Sequence, residues 1–315
     1  MLNKIQSCLD PRIIKRIEEK KQLLDKHRPL PKSALQKLQE NFIIEWTYNS
    51  NAIEGNTLSL GETRLVLETG ITINGKPLKD HLEAINHKEA IIYLLELIKR
   101  NKKIDEQLIR NIHGIVVQNI EKEYAGRFRS GQVRILGANF IPPNYLKIPN
   151  LINDLIIWLN GEGKKLYLLD KTAIFHHRFE TIHPFYDGNG RTGRLLMNLI
   201  LMQKGYPPVI IANTDRKKYL NALNKANQQD YSALTLLIAV SLEKYLDLYL
   251  ESIAFATKFN QELVPLRELV KKTKMGLEYL SLLARQGKIH AVKNGKTWYS
   301  SEDNINNYLK HKLRE

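Results

Sequence analysis

Residues 195 to 202 read Leu-Leu-Met-Asn-Leu-Ile-Leu-Met, which leaves a helix with almost no polar face. A helix that is apolar all round has to be wrapped by other elements, so the chain must supply a shell of amphipathic partners. Gly205 and the following Tyr206-Pro207-Pro208 end it. Its start is marked by Gly188-Asn189-Gly190. The segment therefore sits at a helix N-terminus, where free backbone amides and the positive end of the macrodipole attract an anion. Glycine lets such a backbone approach a phosphate closely.

The residues around that start carry chemistry. Arg191 and Arg194 are three apart in the first turn, so both lie on one side of the helix and can reach the same polyphosphate, with Thr192 and Gly193 between them. Asp187 stands just before the loop, and Mg²⁺ is commonly held by one or two carboxylates plus substrate phosphates. His183 carries a side chain that ordinarily titrates near neutrality and can act as a general base towards an incoming hydroxyl. Gly188, Gly190 and Gly193 also spell a dinucleotide-type glycine pattern, with Asp215 downstream. That pattern must leave a β-strand, whereas Asp170 followed by Ala173, Ile174, Phe175, Phe179 and Ile182 reads as an N-cap and a helix. A buried core histidine beside two surface arginines is the bland alternative. His, Asp, Asn and two Arg within twelve residues of a helix start count against it.

The stretch resembles the signature of the Fic (filamentation induced by cAMP) domain family, His-Pro-Phe-x-Asp/Glu-Gly-Asn-Gly-Arg-x-x-Arg, at every position from His183 to Arg194. The resemblance extends from about Glu45 to about Leu246. It implies a mainly α fold: a Fic-type helical bundle with one β-hairpin flap. It also implies AMPylation, the transfer of AMP from ATP to a protein hydroxyl with Mg²⁺. Carried over, His183 deprotonates the target hydroxyl and Asp187 ligates Mg²⁺. Gly188, Asn189 and Gly190 hold the α- and β-phosphates, and Arg191 and Arg194 grip the leaving pyrophosphate. Relatives with an altered loop transfer a phosphoryl group; the loop here has the adenylyl-transferring form.

A second segment, Ser50-Asn51-Ala52-Ile53-Glu54-Gly55-Asn56, follows a helical repeat of Leu35, Leu38, Phe42 and Trp46 that opens on a Ser33/Gln36 capping box after Pro31. Glu54 falls at the C-terminus of that helix, where the macrodipole disfavours a carboxylate and a cationic partner is expected. A solvated Glu beside a C-cap glycine is the plain reading of the segment alone. The string also resembles the family's inhibitory motif, Ser/Thr-x-x-x-Glu-Gly/Asn, whose Glu pairs with the second signature arginine, here Arg194. The resemblance thus implies the N-terminally self-inhibited class, in some of whose members the same Glu helps remove AMP from a modified target.

Between Gly126 and Pro149, Val133 and Ile135 give the best strand signal and Gly137-Ala138-Asn139 a turn, so a short hairpin ended by prolines is predicted. In the family this hairpin is the flap, which holds an extended target segment by strand addition. Leu136, Gly137, Ala138 and Asn139 would line the nucleotide pocket. Tyr219 and Asn227 fall where relatives contact adenine and ribose, although polar helical surface explains them almost as well. Ile91 to Ile98, Leu151 to Leu159 and Ala233 to Leu250 read as further bundle helices.

The net charge of +15 lies mostly at the ends: residues 1–40 carry +5, residues 257–315 carry +6 and the middle +4. Solvated lysine-rich surface explains residues 1–40. Leu263 to Thr273 and Leu277 to Arg285 read as two short helices joined at Met275-Gly276. Ile289 to Val292, Asn294-Gly295 and Thr297 to Tyr299 then read as a hairpin. Together they resemble a winged helix-turn-helix, which would set Lys274, Tyr279, Arg285, Lys293 and Lys296 near phosphates if it reads DNA. Protein interaction or packing is the other use of such a module. The expected organisation is N-terminal helices with the inhibitory helix over 1–100, a catalytic core over 101–257 and the winged module over 258–315.

One cysteine, Cys8, excludes an internal disulfide framework and fits a reducing cytoplasm. No apolar run approaches a membrane span, and Met-Leu-Asn-Lys-Ile lacks a signal-peptide core, so a soluble intracellular protein is expected. Expected partners are ATP, a hydroxyl-bearing target protein, the protein's own hydroxyls and a second copy as a homodimer, with no membrane. The competing class is a DNA-associated regulator whose Fic core acts as a sensor.

Overall fold

The computed structural model describes residues 7–28, 30, 32–135, 140–259, 263–273 and 275–312. The chain divides into two compact units, residues 1–29 with 35–250 and residues 30–34 with 251–315. The first is helical: α1 (Pro11–Lys26), α2 (Lys32–Ile53), α3 (Leu60–Thr69), α4 (Leu78–Lys99), α5 (Glu106–Val116), α6 (Ile148–Asn160), α7 (Leu168–Ile182), α8 (Asn189–Met202), α9 (Arg216–Ala226) and α10 (Ser232–Phe259).

The all-round apolar α8 is the axis of this unit. Leu195, Leu196, Met197, Leu199 and Leu201 are fully buried, and α7, α5 and α4 pack directly on it. One polar side chain inside it is also satisfied. Asn198 donates to Val209 O at 2.8 Å and accepts from Val209 N at 2.6 Å, which fixes the returning segment after Gly205. α2 meets α10 through Phe42, which stacks on Tyr249 with centroids 5.3 Å apart and meets the edge of Tyr245 at 5.1 Å. The three helices anticipated at 91–98, 151–159 and 233–250 lie inside α4, α6 and α10.

Two local expectations differ. Asp170 is not an N-cap: α7 begins at Leu168, and the buried Asp170 carboxylate accepts from the Cys8 amide at 3.3 Å and the Cys8 thiol at 2.7 Å. An acidic residue in the first turn is still favourable to the helix dipole, and here it also ties down the N-terminal segment. In the anticipated flap, the described flanks 127–135 and 140–144 carry no strand. Side chains clasp the two limbs instead: Gln132 donates to Pro142 O at 2.8 Å, and Arg129 donates to Pro143 O at 2.6 Å. The anticipated turn at Leu136 to Asn139 lies outside the described residues, as do Lys274 and the side chains of the Ser33/Gln36 box.

The second unit contains β1 (Val264–Pro265), α11 (Leu266–Thr273), α12 (Leu277–Arg285), β2 (Val292–Asn294), β3 (Thr297–Ser300) and α13 (Glu302–Lys312). Its antiparallel sheet has the order β1-β3-β2. Leu266, Leu269, Leu280, Leu283, Ile289 and Ile305 form its core. β2 starts at Val292, three residues later than expected, and Ile289 is buried in this core. Asn294 pairs with Thr297, so the tight turn is Gly295-Lys296.

Candidate active site

A sharp corner joins α7 to α8. His183 ends α7 in the left-handed region with φ 48°, a conformation uncommon outside glycine. Its amide donates to Phe179 O at 3.0 Å, and Pro184 prevents the helix from continuing. Arg129 braces the outside of the corner: its Nε donates to His183 O at 2.8 Å, and its amide donates to Pro184 O at 2.9 Å. Asn189 braces the inside, accepting from Phe185 N and donating to Phe185 O, each at 2.9 Å. His113 lies flat on Phe185 with centroids 3.6 Å apart and bonds Asp187 O at 3.0 Å. Burial lowers the His113 pKa to about 4, so it donates as a neutral ring.

Gly188, with φ 75°, begins α8, and a Cβ there would meet Val117 Cγ1 at 2.9 Å. The N-terminal end of α8 borders, through Gly190, a cavity of about 210 Å³. Glu54, His183, Gly190, Arg194, Tyr219 and Asn227 all line it. The two arginines take different partners. Arg191, 2% exposed, is paired with Glu83 of α4 at 3.0 Å and with Asp187 at 3.2 Å. Arg194, 3% exposed, is paired with Glu54 Oε1 at 2.8 Å; its Nε donates to Ser50 Oγ at 3.0 Å and its Nη2 to Ser50 O at 2.7 Å. A Cβ on Gly190 would strike the Glu54 carboxylate, so that carboxylate rests on the amide end of α8.

Comparison with known proteins agrees with this geometry. Residues 103–201 match the Fic/DOC family. The Protein adenylyltransferase Fic of Drosophila virilis is 37% identical over 247 residues, covering 78% of this chain and 50% of that protein. A solved Fic-1 fragment from C. elegans superposes with a TM-score of 0.69 at 33% identity, covering 78% of this chain and 74% of that one. A Fic domain containing signaling protein from Bacteroides thetaiotaomicron superposes with a TM-score of 0.64 at 30% identity, covering 78% of this chain and 96% of that one. The chain belongs to the Fic family. It spans about half the length of the curated relatives it matches.

Within the Fic fold, the signature residues divide between two faces. His183, Gly190 and Arg194 line the cavity, whereas Asp187 and Arg191 lie outside its lining. The two arginines pair with different acids, Arg191 with Glu83 of α4 and Arg194 with Glu54, the residue after α2. The Asn189 side chain bonds both the amide and the carbonyl of Phe185, which fixes the loop backbone. Thr192 is fully buried, and Gly193 backs onto Glu180 of α7. Tyr219 is buried, bonds His176 at 2.7 Å and places its ring 5.9 Å from Arg194; Asn227 bonds His177 at 2.8 Å. Ile135 and Phe140, which flank the undescribed 136–139, line the same cavity. Arg129, His113, Glu83 and Glu180 are site residues that local pattern does not reveal, since each acts on a segment distant in the chain.

Asp187 suits a hard divalent cation. One oxygen takes the Gly188 amide and Arg191; the other faces outward, where the Lys79 ammonium stands 3.3 Å away as a cation already drawn to it. Among the described residues no cluster of three or more metal-ligating side chains exists. A single carboxylate leaves the remaining positions to phosphate and water oxygens, the habit of Mg²⁺.

The asparagine clasp gives a direct stability expectation. Asn189→Ala leaves both polar groups of the buried Phe185 peptide without partners, each costing about 1–3 kcal/mol. A thermal melt should fall by several degrees, and a Tm equal to that of the unsubstituted chain would contradict the clasp. Titration gives another expectation. Burial lowers the His183 pKa to about 4, with the Glu180 carbonyl opposing and Arg129 adding to the effect. The ring is therefore neutral above that value, and any reaction using it as a base should show a flat rate from about pH 6 to 7.5. An acid limb centred near 6.5, the value of an unperturbed histidine, would contradict the burial effect.

Proposed function

We propose that this chain is a protein adenylyltransferase that moves AMP from ATP to a hydroxyl of a protein, and that Glu54 holds its activity down. The observation that carries the proposal is the single cavity in which a neutral imidazole, the amide end of α8 and the buried Arg194 converge. The name of the Drosophila virilis relative supports the same reaction. In this reading the triphosphate lies over Gly190 and Arg194. His183 takes the proton of the target hydroxyl while its oxygen bonds the α-phosphorus; the bond to the β-phosphate oxygen breaks and pyrophosphate leaves. Asp187 would hold Mg²⁺, which supplies positive charge to the phosphates when bound. Arg129 fixes the corner that aims His183, and the segment it clasps is where we would dock the target.

Glu54 opposes this by placing a carboxylate where phosphate oxygens would lie and by occupying Arg194. The decisive experiment incubates the chain and lysate with Mg²⁺ and ATP labelled at the α- or the γ-phosphate. Label on protein from the α-phosphate alone supports adenylyl transfer. Label from the γ-phosphate alone, or none even after Glu54 is replaced, would overturn it.

For residues 258–315 we propose a winged helix-turn-helix module that meets a protein. α12 turns Leu277 and Leu282 outward at 46% and 42% exposure, beside Glu278, a surface that suits apolar contact better than phosphates. No described helix is long and apolar enough to cross a membrane. Cytoplasmic residence belongs to this proposal and rests on the single Cys8.

A further inference from the structure

Glu180 has no part in the signature and none in the reaction above, yet its place in the wall of the cavity is specific. With His177 and Thr181 it forms the α7 face that lines the space. Its Oε1 is closed to solvent and has no hydrogen-bond partner among the described residues. A Cβ on Gly193 would run into that same oxygen, so glycine at this variable signature position leaves room for the carboxyl. The same cavity is lined by Glu54, Gly190 and Arg194 and by the α9 residues Leu220, Leu223 and Asn224. Glu180 thus shares the cavity with Gly190 and Arg194, the groups suited to an anion.

We propose that Glu180 is a nucleotide-contacting residue: its carboxyl hydrogen-bonds a nucleotide bound in this cavity, and a negative charge on it drives the polyanion out. The proposal rests on reading the cavity as a nucleoside polyphosphate site. Oε1 faces Gly193 while Glu180 lines the cavity, so a ligand there that hydrogen-bonds the carboxyl gains from doing so. A second carboxylate beside a triphosphate would instead be repelled.

Several groups face Glu180. They are His176 and His177 on α7, His183 at the corner, Glu54 after α2, Arg194 on α8, and Arg216 and Tyr219 on α9. Burial pushes the Glu180 carboxyl up to about 8; Arg194 works against this and Glu54 with it. Burial sends the rings the other way, His176 to about 3 and His183 to about 4, and His177 is lowered as well. The Tyr219 hydroxyl is raised far above neutrality by burial; burial acts to lower Arg194, but Glu54, Tyr219 and Glu180 together raise it, so it stays charged. Of these shifted groups, Glu180 is the one whose charge changes between pH 7 and pH 9.

The test is calorimetric binding of ADP with Mg²⁺ to the full chain between about pH 7 and about pH 9, for the unsubstituted protein and for Glu180→Gln. The unsubstituted protein should hold a steady Kd up to about pH 7.5 and weaken by up to about tenfold per pH unit above about 8, the slope of one linked proton. Glu180→Gln, which keeps a hydrogen-bonding group without the charge, should lose the alkaline weakening, so that its own Kd changes little from about pH 7 to about pH 9. A flat profile in the unsubstituted protein overturns the role of Glu180 whether or not the variant folds, and so does an unchanged slope in a folded Gln variant. ADP failing to bind at any pH would instead overturn the nucleotide-site reading and this inference with it.

Discussion

Replacing His183 by alanine should lower AMP transfer by about 10²- to 10⁴-fold, the usual worth of a positioned general base, while ATP binding persists. The binding groups are elsewhere: Arg194 is held by two bonds to Ser50, and the amide end of α8 is fixed by the Asn189 clasp. Neither depends on the imidazole. Part of any loss could come from the corner itself, because residue 183 sits at φ 48°, where alanine is strained. His183→Asn separates the two effects, since asparagine tolerates that conformation but cannot accept the proton as a base of comparable strength. Both variants should show the same deep loss of transfer with near-normal ATP titrations. If either turns over at the unsubstituted rate in the α-labelled assay, the base assignment is wrong. If both lose ATP binding too, His183 is a scaffold of the corner.

What the sequence made legible follows the range of the forces involved. The axis helix could be read because an all-round apolar run has one solution, burial, and because Gly188 and Gly205 bracket it. The end of α2 near Gly55 was readable for the same local reason. Side-chain allegiance was not. Arg191 and Arg194 look equivalent along the chain, and only the folded packing reveals that Glu83 claims one and Glu54 the other. Nothing local to Asn189 announces that its amide also bonds both polar groups of Phe185. Arg129 reads as an ordinary loop charge, although it is buried and spends its fork on His183, Gly131 and Pro143. Glu180 carries no local signal, because its environment is assembled from α7, α8 and the end of α2. In the second unit β1 went unread: a two-residue strand that pairs only through β3 has no periodicity of its own.

Glu54→Gly should raise adenylyl transfer, including transfer to the protein's own hydroxyls, by roughly 10- to 150-fold. That range corresponds to about 1.5–3 kcal/mol, the lower part of what close charge pairs contribute in buried settings. The lower part applies because the Glu54 side chain is 38% exposed while its partner is 3% exposed, so water screens one side of the pair. Two effects add. The carboxylate leaves the amide end of α8, and Arg194 regains a free charge without losing its position, since Ser50 still holds it through two hydrogen bonds. The same change leaves a buried guanidinium without its counter-ion, so the nucleotide-free variant should melt lower than the unsubstituted protein. ATP should restore more of that loss than it adds to the unsubstituted protein, because phosphate oxygens replace the missing carboxylate. Glu54→Gln separates charge from volume: it keeps the atoms over Gly190 and removes the charge, so its gain should fall between the unsubstituted protein and the glycine variant. Initial rates of α-labelled self-modification measure all three. Equal rates in the unsubstituted protein and Glu54→Gly, with both folded and binding ATP, would mean that the pair with Arg194 is structural and does not restrain the reaction.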